Sequence, residues 1–427
     1  MAKQGAKTAT PRLRFPEFRK SAPWPETDLG AVLFEHGTKD DGASEVHSVS
    51  VHKGVVNQME HLGRSFAAAD RSKYNLVKPY DVVYTKSPTG DFPFGIVKQS
   101  RLPINAIVSP LYGVFSPSNR YVGYLLDAYF ESPNRTNLYL APVTQKGAKN
   151  TIQISNDGFL SKGIFLPEQE GEQQKIADCL TSLDEVIAAQ GRKVEALKAH
   201  KRGLMQQLFP REGETRPRLR FSEFRDAPKW SLGKASDIVE VIQGYGFPER
   251  LQGNATGEFP FYKVSDISAC VDAGGVLLTD ANNHIEADVL AELRAKPMPV
   301  GATVFAKIGE AIRSNKRAMT ARPSLVDNNA AGVKGIDDRA DDRFVYYLWS
   351  QVSLIEYAGG VVPAVNKSAI EQIPVCYPKK DEQQRIADCL ASLDTRIAAE
   401  AARLAALKTH KQGLMQQLFP APEATGA

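Results

Sequence analysis

Two long segments of this chain are near copies of each other, and they constrain its fold more than any other feature. Residues 172–210 and 382–420 align at a constant offset of 210, and 27 of the 39 aligned positions are identical. Both segments are rich in Ala, Leu, Gln, Lys and Glu and contain no proline before their last residue. This composition predicts one long helix in each segment, and the repetition indicates an internal duplication.

Apolar residues recur along each segment with alternating spacings of four and three, which predicts a coiled-coil seam. The seam residues are Ile176, Leu180, Leu183, Ile187, Val194, Leu197, Leu204 and Leu208 in the first copy, and Ile386, Leu390, Leu393, Ile397, Leu404, Leu407, Leu414 and Leu418 in the second. Two polar pairs interrupt the seam at the same place in both copies, Gln190/Glu400 and Lys201/Lys411. We therefore expect the two helices to pair with each other.

The charges beside the seam favour an antiparallel pair. A parallel pair would bring like charges together at two places. An antiparallel pair sets Asp184 beside Lys408 and Asp394 beside Lys198, at the cost of one pair of like charges at its centre. Each exposed pair contributes only about 0.5 kcal/mol, so the charges indicate the orientation without contributing much stability.

Each helix follows a globular segment, so the chain is organised as head, helix, head, helix. The predicted segments are 1–167 for head 1, 168–210 for the central helix, 211–379 for head 2, 380–420 for the C-terminal helix and 421–427 for a tail. Each head opens with the tag Pro-Arg-Leu-Arg-Phe, whose Leu and Phe are expected to dock on the helices. Short predicted strands, few helices and many Gly/Pro turns make each head a compact α+β domain. The fold class is therefore α+β, with two heads joined by two antiparallel helices and an internal pseudo-two-fold repeat.

Composition limits the classes of function. Residues 1–167 contain 20 Lys+Arg and 14 Asp+Glu, whereas residues 211–379 contain 21 and 22, so head 1 has the character of a polyanion binder. The four cysteines form no CxxC motif, which fits a reduced, cytoplasmic protein. The first ten residues have no apolar core for a signal peptide, and no stretch is long and apolar enough to span a membrane.

The arrangement resembles the specificity subunit of Type I restriction–modification systems over nearly the whole chain. The resemblance rests on the repeated tags, the strand ending Val-Phe-Ala-Lys, the stretch 359–375 and the motif Glu-Gln-Gln-Arg-Ile-Ala-Asp at 382–388. It implies that each head is a target-recognition domain for one half of a bipartite sequence in double-stranded DNA. It also implies that the helices form a spacer and bind two copies of a methyltransferase subunit, and through them restriction subunits with translocase and nuclease activity.

The length and pairing of the helices independently predict two DNA-binding heads held at a fixed distance. If the helices are antiparallel, the two heads are expected at opposite ends of a rod of about 50 Å, taking ~1.5 Å per residue. Such a rod corresponds to about 15 base pairs at ~3.4 Å per pair. The tag arginines could also contact DNA directly, which is the alternative to docking.

Polar and basic residues on loops are the candidate DNA contacts, because such side chains bind base edges and phosphates. In head 1 the candidates are Arg64, Ser65, Arg71, Lys73 and Lys86. In head 2 they are Gln243, Tyr245, Lys307, Arg313, Ser314, Asn315, Lys316 and Arg317. Arg120 and Arg343, which stand beside aromatic residues at predicted helix starts, are interpreted as structural.

No motif nominates catalysis, a cofactor or a metal. The amino-methyltransferase signature and the phosphate-binding P-loop are missing, and Asp272-Ala-Gly-Gly is a poor cofactor loop because no long apolar strand precedes it. Four histidines between 36 and 61 lack nearby cysteines and a standard zinc spacing. Two alternatives stay open: a DNA methyltransferase or nuclease with built-in specificity, and a purely structural coiled-coil scaffold.

Overall fold

The computed structural model describes residues 7–40, 42–63, 70–146 and 152–421. The chain divides into two compact units, of which unit 1 comprises residues 1–188 and 405–427 and unit 2 comprises residues 189–404. Each unit therefore contains one head and a part of each long helix. Within the described ranges, no helix is both long and apolar enough to cross a membrane.

Head 1 is built from short strands and short helices. Its strands are β1 (Thr8–Ala9), β2 (Trp24–Asp28), β3 (Leu33–Glu35), β4 (His47–Ser50), β5 (Gly54–Asn57), β6 (Asn75–Val77), β7 (Val82–Tyr84), β8 (Val97–Gln99), β9 (Ala106–Val108), β10 (Gly113–Pro117), β11 (Gln145–Lys146), β12 (Ile152–Gln153) and β13 (Gly163–Phe165). Its helices are α1 (Leu29–Val32), α2 (Gln58–Leu62), α3 (Arg120–Phe130), α4 (Pro133–Leu140) and α5 (Asn156–Leu160). The main sheet is antiparallel, with strand order β3-β10-β7-β8.

Head 2 repeats this plan after the central helix α6 (Glu170–Leu208). Its strands are β14 (Ser231–Lys234), β15 (Val239–Gln243), β16 (Phe259–Tyr262), β17 (Leu277–Leu278), β18 (His284–Ile285), β19 (Thr303–Ala306), β20 (Arg317–Thr320), β21 (Leu325–Val326), β22 (Ala330–Gly335) and β23 (Pro374–Tyr377). Its helices are α7 (Val264–Asp272), α8 (Ala287–Glu292), α9 (Asp342–Trp349) and α10 (Lys367–Glu371), and the C-terminal helix α11 (Lys380–Leu418) follows.

The two heads have the same sheet order although their sequences have diverged. The main sheet of head 2 has the order β15-β22-β19-β20, which matches β3-β10-β7-β8 strand for strand, and β17 is added parallel to β20. In both heads a strand near the start pairs with the strand that precedes the long helix, β2 with β13 and β14 with β23. The predicted α+β class and the internal repeat are confirmed.

Within each unit the two long helices lie antiparallel, as the charge pattern predicted. In unit 1, Lys411 Nζ lies 2.7 Å from Asp184 Oδ1; in unit 2, Lys201 Nζ donates to Asp394 Oδ1. The prediction that Lys408 and Lys198 pair with these two aspartates is wrong. Lys201 and Lys411 stand in the seam itself and so face the other helix, whereas Lys408 is exposed and Lys198 bonds to Glu195 on its own helix.

Each of these interhelical pairs also includes a tyrosine from the head of the same unit. Tyr124 Oη donates to Asp184 at 2.8 Å, and Tyr347 Oη donates to Asp394 at 2.7 Å. Burial by itself would raise the pKa of Asp184, but Lys411, the hydrogen bond from Tyr124 and the charge of Arg101 together outweigh burial, and the pKa is lowered. These Lys-Asp-Tyr clusters fasten α3 to the helices in unit 1 and α9 to the helices in unit 2.

The seam residues lie on the sheltered side of their helices: all sixteen are buried or half-buried. The polar residue Gln190 also lies in the seam and bonds to Glu400, the residue at the duplicate position of the other helix. Its side-chain amide donates to Glu400 Oε2 at 2.7 Å and to the Glu400 carbonyl at 2.9 Å. Lys193 contacts the same carboxylate. The charge of Glu400 therefore offsets the accumulation of positive charge expected at the centre of the helix pair.

The tags are docking segments, but the residue that anchors them is the second arginine. Arg14 makes two hydrogen bonds to the buried Glu172 at the start of α6, at 2.6 and 2.7 Å. The Leu13 amide donates to the carbonyl of Gln417 at the end of α11, and its side chain stays exposed. Phe15 is half-buried. The expectation that Leu and Phe together dock the tag is thus corrected, because the buried charge pair makes the main contact.

Tag 2 repeats these contacts within unit 2. Arg220 bonds to Glu382 at 2.7 and 2.6 Å, and the Leu219 amide donates to the carbonyl of Gln207. Trp230 Nε1 donates to the same Glu382 carboxylate at 3.2 Å. Each tag therefore joins the beginning of one long helix to the end of the other, which explains why the tag and the helix ends are retained in both copies.

Candidate nucleic-acid interface

One edge of the main sheet in each head brings the candidate residues together. Strands β3 and β7 are both antiparallel to β10, so they run in the same direction and end at the same edge of the sheet. Strands β15 and β19 have the same relation through β22. The ends of these strands and the loops that follow them contain Lys86 in head 1 and Gln243, Tyr245 and Lys307 in head 2. We call this the loop edge of each head.

Lys307 and Gln243 are bonded to each other at the loop edge of head 2. The lysine amine donates to the Gln243 side-chain oxygen, and both residues are half-buried. Burial lowers the pKa of Lys307, and the charge of the nearby Asp327 opposes this shift only in part. Lys307 is therefore held in a partly dry position, where an added anion would interact strongly with its charge.

Lys86 occupies the equivalent position in head 1, two residues after the end of strand β7. Its backbone has φ +57°, and Gly95 faces it so closely that a Cβ at Gly95 would lie 2.7 Å from the Lys86 nitrogen. Burial lowers the pKa of Lys86, and Glu35, at the end of β3, opposes this shift. Glu35 also accepts a hydrogen bond from Asn156 at 2.6 Å. Sequence reasoning missed Glu35, because only the sheet order places the end of β3 beside the end of β7.

The segment 313–317 was the strongest sequence candidate, and the structure divides it. Arg313 is 60% exposed and pairs with Glu310 at 2.8 Å. Ser314 Oγ donates to the carbonyl of Ala311 at 2.7 Å. Lys316 pairs with Asp272 at 2.6 Å. Arg313 is thus the exposed cation of this segment, while the other two side chains bond within head 2.

Arg317 faces the interior of head 2 and not its surface, which corrects the expectation that it contacts DNA. It is 3% exposed, its guanidinium lies 5.0 Å from the Phe305 ring centroid, and it donates to Asn315 Oδ1 at 2.7 Å. Asn315 adopts φ +50° and donates to the Ser350 carbonyl at 3.3 Å. Burial lowers the pKa of Arg317 to about 9, so it stays protonated at neutral pH. Both residues therefore stabilise the turn that presents Arg313.

The remaining candidates differ in exposure. Tyr245 is half-buried, and its hydroxyl accepts from the Lys296 amide at 2.9 Å, so its ring supports the loop edge. Lys73 is exposed. Arg71 lies 3.8 Å from Asp40 and stays partly exposed. Arg64 and Ser65 lie outside the described residues.

The arginines that the sequence assigned to structure bond to nearby groups within their own units. Arg120 donates to the Tyr121 hydroxyl at 2.8 Å, and Arg343 pairs with Asp388 of α11 at 2.7 Å. Lys98 is buried and pairs with Asp127 at 2.9 Å. The Lys98–Asp127 pair links β8 to α3 and the Arg343–Asp388 pair links α9 to α11, whereas Arg120 bonds to the next residue of its own helix; none of these bonds favours a role in recognition.

A known family model matches much of the second half of the chain. Residues 228–409 match the family described as Type I restriction modification DNA specificity domain. The resemblance to Type I specificity subunits is confirmed. The matched region contains most of head 2 and the greater part of α11, and head 1 has the same order of strands in its main sheet.

Two relatives from Methanocaldococcus jannaschii are similar over much of the chain. One, named the MjaX type I restriction enzyme specificity subunit, is 26% identical over 307 residues, which are 70% of this chain and 67% of the relative. The other, named the MjaVIII specificity subunit, is 22% identical over 266 residues, which are 60% of this chain and 61% of the relative.

Two solved structures have the same fold. The S subunit of the Type I restriction–modification system from M. genitalium aligns with a TM-score of 0.57 at 13% identity, covering 97% of this chain and all of the other. A chain from a study of complex assembly in the type I system aligns with a TM-score of 0.53 at 15% identity, covering 93% of this chain and 98% of the other. At these identities the likeness concerns the fold alone.

Proposed function

We propose that this chain is the non-catalytic DNA-recognition subunit of a Type I restriction–modification system. Head 1 and head 2 each read one half of a bipartite, asymmetric target in double-stranded DNA. The observation that carries the proposal is the pair of loop edges, which have the same strand framework and different side chains. The charge of Glu35 acts on the pKa of Lys86 in head 1, whereas Lys307 donates a hydrogen bond to Gln243 in head 2. Two heads with the same strand order but different side chains at their loop edges suit two half-sites of different sequence.

The chemistry of each edge supports contact with DNA. A half-buried lysine at the end of the central strand can bind a phosphate, which positions the head without selecting a sequence. Glutamine and glutamate are residues that select bases, since glutamine bonds to adenine and glutamate accepts from the amino group of cytosine. The exposed Arg313 can bind either a phosphate or guanine.

The duplicated helices and tags support a scaffold role. Each unit contains one tag, one Lys-Asp-Tyr cluster and one set of helix ends, so each offers an equivalent surface. Two equivalent surfaces suit two copies of one partner. We propose that two methyltransferase subunits bind there, and that restriction subunits join the complex through them.

A DNA-binding experiment with purified components tests this function. The chain with its methyltransferase partner should retain one interrupted sequence from a pool of random duplexes, and a gel-shift assay with that sequence should show specific binding. The chain alone should transfer no methyl group to DNA and should bind no S-adenosylmethionine. Methyl transfer by the isolated chain would favour the enzyme alternative. Absence of any sequence preference in the complex would favour a purely structural scaffold.

A further inference from the structure

The turn at 359–364 in head 2 exposes two adjacent valines. Val361 is fully exposed, and Val362 is 61% exposed. Both side chains are therefore accessible to another molecule. The backbone here is fixed at several points.

Backbone hydrogen bonds attach this turn to the loop edge. Gly359 and Ala364 exchange two bonds of 3.1 Å, which close the turn. The Gly309 amide donates to the Pro363 carbonyl at 2.8 Å, and the Val365 amide donates to the Lys307 carbonyl at 2.9 Å. Gly360 supplies the φ of +90° that the turn requires. The two valines are therefore presented on a fixed support, next to the segment that contains Lys307 and Arg313.

Head 1 has a pair of strands at the same place in its order of elements. Strands β11 and β12 pair directly before α5, as the turn of head 2 precedes α10. The sequence between β11 and β12 is Gly-Ala-Lys-Asn-Thr, whereas head 2 has Gly-Val-Val-Pro at 360–363. A surface for two copies of one partner should be alike in both halves, so the difference points to DNA, whose two half-sites differ.

We infer that Val361 and Val362 contact the C5 methyl groups of thymine in the half-site read by head 2. The inference rests on the proposed function and specifies one of its base contacts. Apolar side chains distinguish thymine in the major groove, because its methyl group is the one apolar feature among the base edges there. Short, branched valine side chains on a fixed turn suit this contact better than insertion between bases, for which longer side chains are used.

Replacing thymine by deoxyuridine removes only the methyl group and tests the contact directly. The probe is the interrupted duplex selected by the complex of the full chain with its methyltransferase partner. Thymines are changed to deoxyuridine in one half-site at a time. Wild-type complex should bind about four-fold more weakly for each contacted methyl group that is removed. The V361S/V362S variant should bind the normal duplex more weakly and should lose its response to uracil in one half-site only.

A matched variant and an assembly measurement separate the possible explanations. Val300→Ser changes a valine of head 2 with 52% exposure outside this turn, and it should respond to uracil as wild type does. The inference is overturned if V361S/V362S keeps its uracil response in both half-sites, or if neither half-site contains thymine. It is also overturned if the variant weakens assembly with the methyltransferase, measured by size-exclusion chromatography, without changing the uracil response. Failure of the wild-type complex to select any sequence would refute the proposed function itself.

Discussion

Removing the arginine that anchors tag 1 should destabilise unit 1 strongly. Arg14→Met deletes the two bonds to Glu172 and a third, of 2.8 Å, to the carbonyl of Ser21. Methionine fills part of the volume but offers no charge. Glu172 stays in place at the start of α6, where its side chain is 2% exposed, so its carboxylate becomes a buried charge without its cation.

The expected cost follows from that unpaired carboxylate. Removing one partner of a buried ion pair costs about 3–5 kcal/mol, because the other charge stays desolvated. Taking about 2.5 kcal/mol per molar urea for a unit of this size, the midpoint of unit 1 should fall by roughly 1–2 M. Replacing both partners, in Arg14→Met/Glu172→Leu, should recover most of this loss, because no buried charge is then left unpaired.

Hydrogen exchange at increasing urea, followed peptide by peptide, measures this effect separately in the two units. Peptides from head 1 and the start of α6 should lose protection early in Arg14→Met, while those of head 2 should not. Arg12→Met is the matched control, since Arg12 is an exposed arginine of the same tag and its loss should change little. Equal stability of Arg14→Met and Arg12→Met would refute the assignment of the buried pair as the anchor.

Further changes test other features of the molecule. Lys411→Met should lower the free energy of unfolding of unit 1 by about 1–3 kcal/mol at neutral pH, with the exposed Lys408→Met as control. The pKa of Asp184 is lowered in the folded protein, so the ionised carboxylate stabilises the fold at a pH above its unfolded pKa of about 4. This stabilisation should be lost as the pH falls below that value. Acid titration of the unfolding free energy of wild type and Lys411→Met measures how much of it depends on the lysine. Arg313→Ala should relax base selection in one half-site at a cost of about 1–3 kcal/mol in binding. Arg317→Met should instead lower the melting temperature of head 2. If Arg317→Met relaxed base selection and Arg313→Ala lowered the melting temperature, the buried arginine would be the one that reads DNA. One heptad inserted at equivalent places in both helices adds about 10 Å to each, and if the helices set the unread gap, the sites modified in cells should show it wider by about three base pairs.

The two long helices could be predicted from the sequence because their apolar pattern is long and occurs twice. Nearly five heptads of apolar spacing, present twice, leave little freedom in the choice of secondary structure. The interhelical ion pairs were less predictable. Lys201 and Lys411 looked like interruptions of the seam, yet a long lysine in a seam position can reach an aspartate of the facing helix. Spacing along one helix could not reveal this, because the register of the pair decides it.

The loop edges were predicted only in part. Lys86 and Lys307 were predicted as basic residues on loops. Arg317 was misjudged because four cations between 313 and 322 resemble an exposed basic loop, whereas Arg317 is the first residue of β20 and faces inward. The signal that could have revealed this was Ala318-Met319, which continues directly from Arg317 as an apolar strand.

The duplication separates residues that hold the frame from residues that differ between the heads. Tag arginines, the glutamates at the helix starts and the Lys-Asp-Tyr clusters are the same in both halves and contact elements of their own unit. Glu35 and Gln243 lie at equivalent strand ends and differ. Changes to the frame should therefore lower stability without altering the bases selected. Changes to the edges should alter one half-site and leave stability nearly unchanged, because those side chains bond to few groups within the protein.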